Sequence, residues 1–250
     1  VEFWRDEEYG LVKPQANEFI KRYPDSEYVE SVWAMLGHIQ FMELNYAKAL
    51  EKYAKISSED ILNKVRLNRA QCYYQLQKHR ELINLLRPVV EGDEGDLNPD
   101  YQNLFVYYYA EAHYRQLTGK AINPQSRLLC RKALPFYSYL LKSKYADRAM
   151  TSLAEINRIL GEHKNAAYYY EKSSQIDEEM GEDLLYQAAS MQVHYDKKKA
   201  MGTFARVFQM RGEKAAEASY NWMLLMFGNR HFEPIVKSKS QLLKWIPEDK

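Results

Sequence analysis

From Ser31 to Ile56, in SVWAMLGHIQFMELNYAKALEKYAKI, the core-type positions recur at three- and four-residue steps. They fall first at Trp33, Leu36, Gly37, Ile39 and Gln40, then at Ala49, Leu50, Tyr53 and Ile56. That period gathers each set on one face of a helix, with Leu44, Asn45 and Tyr46 at the corner between them, and so predicts two amphipathic helices joined by a tight turn. Gly37 and Ala49 carry almost no side chain. Two helix backbones can therefore approach closely there while Trp33 and Tyr53 fill the space around them.

The same frame recurs along the chain. Trp4, Gly37 and Ala70 are spaced by 33, as are Ala16, Ala49 and Leu82, and as is Ala133 from Ala166. The steps from Ala166 to Ala200 and from Ala154 to Ala188 are 34. Four residues after each second-helix anchor stands a large side chain: Ile20, Tyr53, Leu86, Tyr137, Tyr170 and Phe204. This predicts five clear helical pairs with part of another at each end.

Between the periodic stretches lie predictable breaks. Pro24 ends one helix, and Asp25 or Ser26 is placed to cap the next; Ser57-Ser58-Glu59-Asp60 repeats that logic before a helix over about 60–76. The acidic loop EGDEGDLNPD follows, with Asn98 and Pro99 as cap and first-turn pair of a helix over about 99–117 that Gly119 closes. TGKAINPQSRLL then lengthens one turn by nine residues, with Asn123-Pro124 as a second such pair. Pro135 falls inside a helical pattern and predicts a kink near 131–135. The last pair, near 213–228 and 232–246, places Trp222 where Ala188 predicts a small residue.

The 33–34-residue step, the Trp33, Leu36-Gly37, Ala49 and Tyr53 set, and its echo at Leu153, Ala154, Gly161, Ala166 and Tyr170 together resemble the tetratricopeptide repeat. The resemblance covers nearly the whole chain. It implies an all-α, right-handed α-α superhelix of about six helix-turn-helix repeats, forming one solenoid over 1–250. The expected divisions are a partial repeat at 1–24, repeats at about 25–58, 59–92, 97–144, 145–178 and 179–211, and a C-terminal capping repeat at 212–250. Such proteins act as scaffolds whose first helices line a concave groove for a partner peptide or helix. Counting along the frame puts His38, Phe41 and Met42; Gln71, Tyr74 and Gln75; Tyr109, His113 and Gln116; and Glu155, Arg158 and Ile159 on that stripe. The family's clamp for a terminal carboxylate is poorly matched: Ala34 and His38 stand where its first Lys and Asn would be, and only Asn68 fits. An alternative is a small-molecule or lipid-binding repeat protein with a pocket closed by the extension at 118–126. The joints FIKRYPDSEY and KSKYADRA look like those of bacterial envelope repeat proteins, such as the barrel-assembly lipoprotein and the Tol-Pal coordinator. They imply the periplasm or outer membrane as the compartment, with the cytoplasm as the alternative.

Composition narrows the function classes. Thirty-five basic against 34 acidic residues give a net charge of +1, so no global field attracts nucleic acid, and the partner expected is another protein. No apolar run is long enough to span a bilayer. A chain that starts at Val1 in mid-repeat reads as trimmed from something longer. Cys72 and Cys130 lack a CxxC partner and read as buried free thiols. The six histidines never reach metal-ligand spacing, and no phosphate loop or nucleophile elbow occurs. The expectation is therefore no catalytic residue, no metal and no cofactor. Tyr53, Tyr73, Tyr137 and Tyr170 sit at core spacing, and Lys197-Lys198-Lys199 reads as a solvated corner. Oligomeric state is not legible.

Overall fold

The computed structural model describes residues 9–92, 99–117 and 122–228. Among them are thirteen α-helices, one 3₁₀ turn and no strand. The partial helix around Trp4, the Asn98 cap, Gly119 with most of the turn extension, and the helix expected over 232–246 lie outside those residues. The chain groups into two compact units, residues 1–118 and 119–250.

The first unit contains α1 (Tyr9–Arg22), α2 (Val29–Met42), α3 (Tyr46–Tyr53), the short α4 (Glu59–Lys64), α5 (Arg66–Gln75), α6 (His79–Val90) and α7 (Pro99–Tyr114), which runs into a 3₁₀ turn at Arg115–Leu117. The helix expected over 60–76 is divided at Val65, whose φ of −96° and ψ of 3° leave the α region. Val65 is buried against Ala49, Tyr53, Ile56 and Cys72, so core packing fixes the side chain at the point where the backbone breaks. α1 packs on α2, α3 on both α2 and α5, the short α4 on α2 and α5, and α6 on α5 and α7. The small-residue seam behaves as the sequence predicts. Gly37 is buried with the Tyr53 ring directly over it, and a Cβ there would lie 2.4 Å from Tyr53 Cε1.

The second unit contains α8 (Pro124–Leu140), α9 (Ala146–Leu160), α10 (His163–Ser173), α11 (Gly181–Gln192), α12 (Lys197–Met210) and α13 (Ala215–Gly228). Consecutive helices pack against one another throughout. Ala133, Ala166 and Ala200 are all fully buried, as is Tyr137, and Tyr170 and Phe204 are 1% exposed, which is the repeat frame made visible in packing. The seam continues into α13, where Ala215, Ala218 and Ser219 are buried and the half-buried Trp222 packs on Phe204 and its neighbours. The small residues there are displaced from the position that Ala188 predicts, so the seam is shifted rather than lost.

Caps and prolines refine the expected boundaries. Asn123 Oδ1 accepts from the Ser126 amide at 2.9 Å while Ser126 Oγ accepts from the Asn123 amide at 2.7 Å, a complete capping box. Ser26 does not cap α2. Its hydroxyl accepts from the Tyr28 amide at 3.3 Å in the turn ahead of the helix, and Ser143 does the same for Tyr145 at 3.1 Å. The two joints that share a sequence motif thus share a serine turn. Ser58 also makes no side-chain cap; Glu30 accepts from the Ser57 and Ser58 amides at 3.1 and 2.7 Å instead. Pro135 stays within a single helix. Like Pro14 and Pro88 it is exposed, which leaves the carbonyl it cannot pair open to water.

Candidate functional site

The expected stripe begins in the first unit with residues on α2 and α5. Asn68 Nδ2 donates to His38 Nδ1 at 2.9 Å and lies 3.3 Å from the Tyr53 hydroxyl, so one amide ties the two first helices to the second helix between them. Partial burial lowers the His38 pKa, which favours the neutral ring. Phe41 is half-buried with its ring 5.9 Å from that of Tyr46, and Met42 is 45% exposed. Gln71 and Tyr74 are half-buried and Gln75 is exposed. The Tyr74 ring lies 4.7 Å from the Tyr108 ring, and the Arg115 guanidinium sits over it at 5.4 Å. Arg115 is in turn bonded to Glu111, which keeps its charge and orients it over the ring.

On α7 the stripe departs from expectation. Tyr109 and His113 are 1% and 7% exposed, and all nine residues from Phe105 to His113 are buried. A helix buried on every face has no polar side from which an open stripe can be phased. Tyr109 donates its hydroxyl to Glu91 at 2.7 Å, and burial together with that carboxylate pushes its pKa up to about 12. The ring of His113 meets Tyr109 edge-on at 4.7 Å. These two side chains are interior groups. Gln116, which the 3₁₀ turn places beyond the buried run, is half-buried and donates to the Ala112 carbonyl at 3.0 Å.

The second unit brings three polar groups together on α9 and α10. Arg158 donates to Glu155 from Nε at 3.0 Å and from Nη2 at 2.8 Å, and the Tyr170 hydroxyl donates to the other Glu155 oxygen. Burial raises the Tyr170 pKa, and the Glu155 hydrogen bond adds to the rise. Ile159 is half-buried beside them. Tyr53 and Tyr170 occupy the same repeat position, and each delivers a hydroxyl from a second helix to a polar group on a first helix. The frame predicts their rings; it does not predict where the hydroxyls land.

Arg115, Glu111, Tyr108 and Glu91 belong to these arrangements and were not among the expected residues. The Glu111–Arg115 pair stands four apart on a helical pattern, a spacing that signals an ion pair. Glu91 lies in the acidic loop, and nothing local in the sequence links it to Tyr109. Cys72 and Cys130 are both free and fully buried, with their thiol pKa values raised to about 12 and about 11 by desolvation. No group of three potential metal ligands occurs among the described residues.

The chain is an all-α helical-repeat protein. No protein-family model matches it, and no curated protein sequence matches it. Among solved structures it is similar to a STAND-type signal-transduction ATPase with a tetratricopeptide repeat sensor from Pyrococcus horikoshii, at 14% identity and a TM-score of 0.48 over 96% of this chain. The chain spans 40% of that protein's length. It is also similar to a tetratricopeptide repeat protein from Parabacteroides merdae, at 16% identity and a TM-score of 0.38, covering 90% of this chain and 95% of the other.

Proposed function

We propose that the chain is a protein-interaction scaffold that receives a partner peptide or helix on its first helices. The observation that supports this reading best is the accessible set Met42, Tyr74 and Gln75 within the first unit. It combines an exposed thioether, a ring held by Tyr108 and Arg115 and an exposed amide on the stripe that the tetratricopeptide resemblance implies for a partner. Aromatic and Arg side chains carry much of the energy at protein interfaces, and a ring already fixed by its neighbours loses little entropy on binding.

The cavity beside the turn extension favours the alternative less. It measures about 360 Å³, is open, and is lined by Ile122, Asn123, Pro124, Arg127 and Arg131, whereas a lipid or apolar ligand needs an enclosed, mainly apolar chamber. Placement in a bacterial envelope assembly rests on the two joint motifs alone, and the serine turn they share is a local backbone device that does not depend on compartment.

Site-specific photo-crosslinking tests the assignment while the partner is still unidentified. A benzophenone residue in place of Gln75 is expected to capture a discrete protein that the same residue in place of Glu51, on the exposed side of α3, does not. Equal capture from both positions, or capture from Glu51 alone, overturns the first-helix reading.

A further inference from the structure

The second helices of residues 119–250 carry a feature that the groove reading leaves unused. With Ala133, Ala166 and Ala200 as common anchors, the positions two and one before the anchor and two, six and nine after it are exposed in all three of α8, α10 and α12 or just beyond their ends. Eight of these fifteen positions hold Lys or Arg and none holds Asp or Glu. The same five positions around Ala16, Ala49 and Leu82 in the first unit hold four basic and five acidic residues. A solvated face of ordinary composition resembles the first set of helices, with signs interspersed. The second set is a one-signed field within a chain of net charge +1.

The charges are ordered in rows. Arg131, Lys164 and Lys198 share the position two before the anchor, one on each helix, and Lys172 and Arg206 share the position six after it. Eight residues of helix separate those rows by about 12 Å. Midway between them, on the same face by the four-residue rule, run Pro135, Tyr168 and Gly202, which carry no charge. The Lys199–Glu171 ion pair at 2.8 Å joins α12 to α10, and α9 packs against both α8 and α10, so the three helices are linked and share one repeat register. Glu171 is half-buried and already held by Lys199 and Gln192. Exposed carboxylates stand at the ends of the face, at Glu162 and Asp196 ahead of α10 and α12 and at Asp177, Glu178 and Glu179 beyond the end of α10.

We propose that this face binds an extended acidic peptide laid across α8, α10 and α12 along the uncharged row. An octapeptide in extended form reaches about 26 Å, at about 3.3 Å per residue. An extended chain sends successive side chains to opposite sides, so an Asp- or Glu-rich segment meets both basic rows at once while its backbone lies on Pro135 and Tyr168. Single-stranded nucleic acid is held by aromatic platforms for successive bases, and the central row supplies one ring. This inference does not depend on the groove reading; it gives the scaffold a second, electrostatically selected surface.

The test is fluorescence anisotropy with a labelled octaglutamate at 50 mM and 200 mM salt, using the full chain. The expected result is binding that weakens with salt and falls at least tenfold in Arg131→Glu/Lys164→Glu/Lys198→Glu, but stays within twofold in the charge-matched Lys48→Glu/Lys55→Glu/Arg80→Glu. Circular dichroism melting checks that each variant folds. Should the reversal variant fail to fold, Arg131→Gln/Lys164→Gln/Lys198→Gln carries the test with an expected loss of threefold or more. Equal losses in both triple variants, no binding at 50 mM salt, or tenfold tighter binding of decauridylate or phosphatidylserine vesicles would overturn the proposal.

Discussion

At Gly37 a hydrogen atom faces the Tyr53 ring, and a Cβ would stand 2.4 Å from ring carbon Cε1. Gly37→Ala therefore forces the ring to move and is expected to cost about 1–3 kcal/mol by urea denaturation. The loss should shrink in a Tyr53→Leu background, because the partner that clashes is gone. Burial also makes some groups titrate against the fold. The pKa values of His38 and His79 are lowered chiefly by desolvation, so the unfolded chain binds protons that the folded chain resists. Their contribution is intact above the unfolded value near 6.5 and is lost as pH falls below it. The urea midpoint is expected to drop between pH 7.5 and 5.5, by less in His38→Asn/His79→Asn. Cys72 works in the opposite direction: its raised pKa of about 12 means that stability is retained below pH 9 and lost as pH rises from there. The buried anchors were legible at this scale because a small residue followed four later by a large one recurs at a fixed step. Tyr109 and His113 were not, since the run FVYYYAEAH offers no polar phase with which to tell the inner side of the helix from the outer. Tyr109→Ala is accordingly expected to lower stability by about 3 kcal/mol or more, and cannot serve as a probe of binding alone.

Helix pairs depend on corners that are only partly written in the local sequence. Leu44, Gln77 and Gly161 each stand seven residues after the first-helix anchor, and all three adopt a left-handed backbone, with φ of 59°, 55° and 83°. Only the third is glycine. A side chain at such a φ costs about 1–2 kcal/mol, partly offset by the entropy that glycine loses on folding. Leu44 is 69% exposed and Gln77 is exposed, so little packing is forfeited by removing either side chain. Leu44→Gly and Gln77→Gly should each raise the melting temperature, with a gain of up to about 1 kcal/mol, while Gly161→Ala should lower it. Other ties reach across a whole repeat. Glu30 accepts from the amides of Ser57 and Ser58, and Glu182 accepts from the Gly212 amide at 3.1 Å, thirty residues away. Glu30→Ala leaves the start of α4 without an acceptor and is expected to cost about 1–2 kcal/mol. Element type was legible from periodicity, whereas these long-range acceptors were not, because a first-turn glutamate looks the same whether it faces water or the next loop. The break at Val65 was hidden for a related reason: a buried apolar residue keeps the helical period even where the backbone departs from it.

For the molecule as a whole, the two sides of the helix pairs are put to different proposed uses. First helices present a mixed stripe of Met, Tyr, Gln and Arg, whereas the second helices of residues 119–250 present ordered rows of Lys and Arg. Total charge concealed that asymmetry, since +1 overall says nothing of how 35 cations and 34 anions are distributed among helices. The repeat frame supplied the register in which the rows appear, but only burial showed which positions of that register are exposed. The central claim is that the accessible part of the first-helix stripe is where a partner binds. Isothermal titration of the captured partner with the wild-type chain and with Met42→Ala/Tyr74→Leu/Gln75→Ala tests it most directly, as the leucine keeps apolar volume against Tyr108. The account predicts an increase in Kd of about tenfold or more, near 1.4 kcal/mol, with a melting temperature within a few degrees of wild type. A folded variant whose Kd stays within twofold of the wild-type value would contradict it.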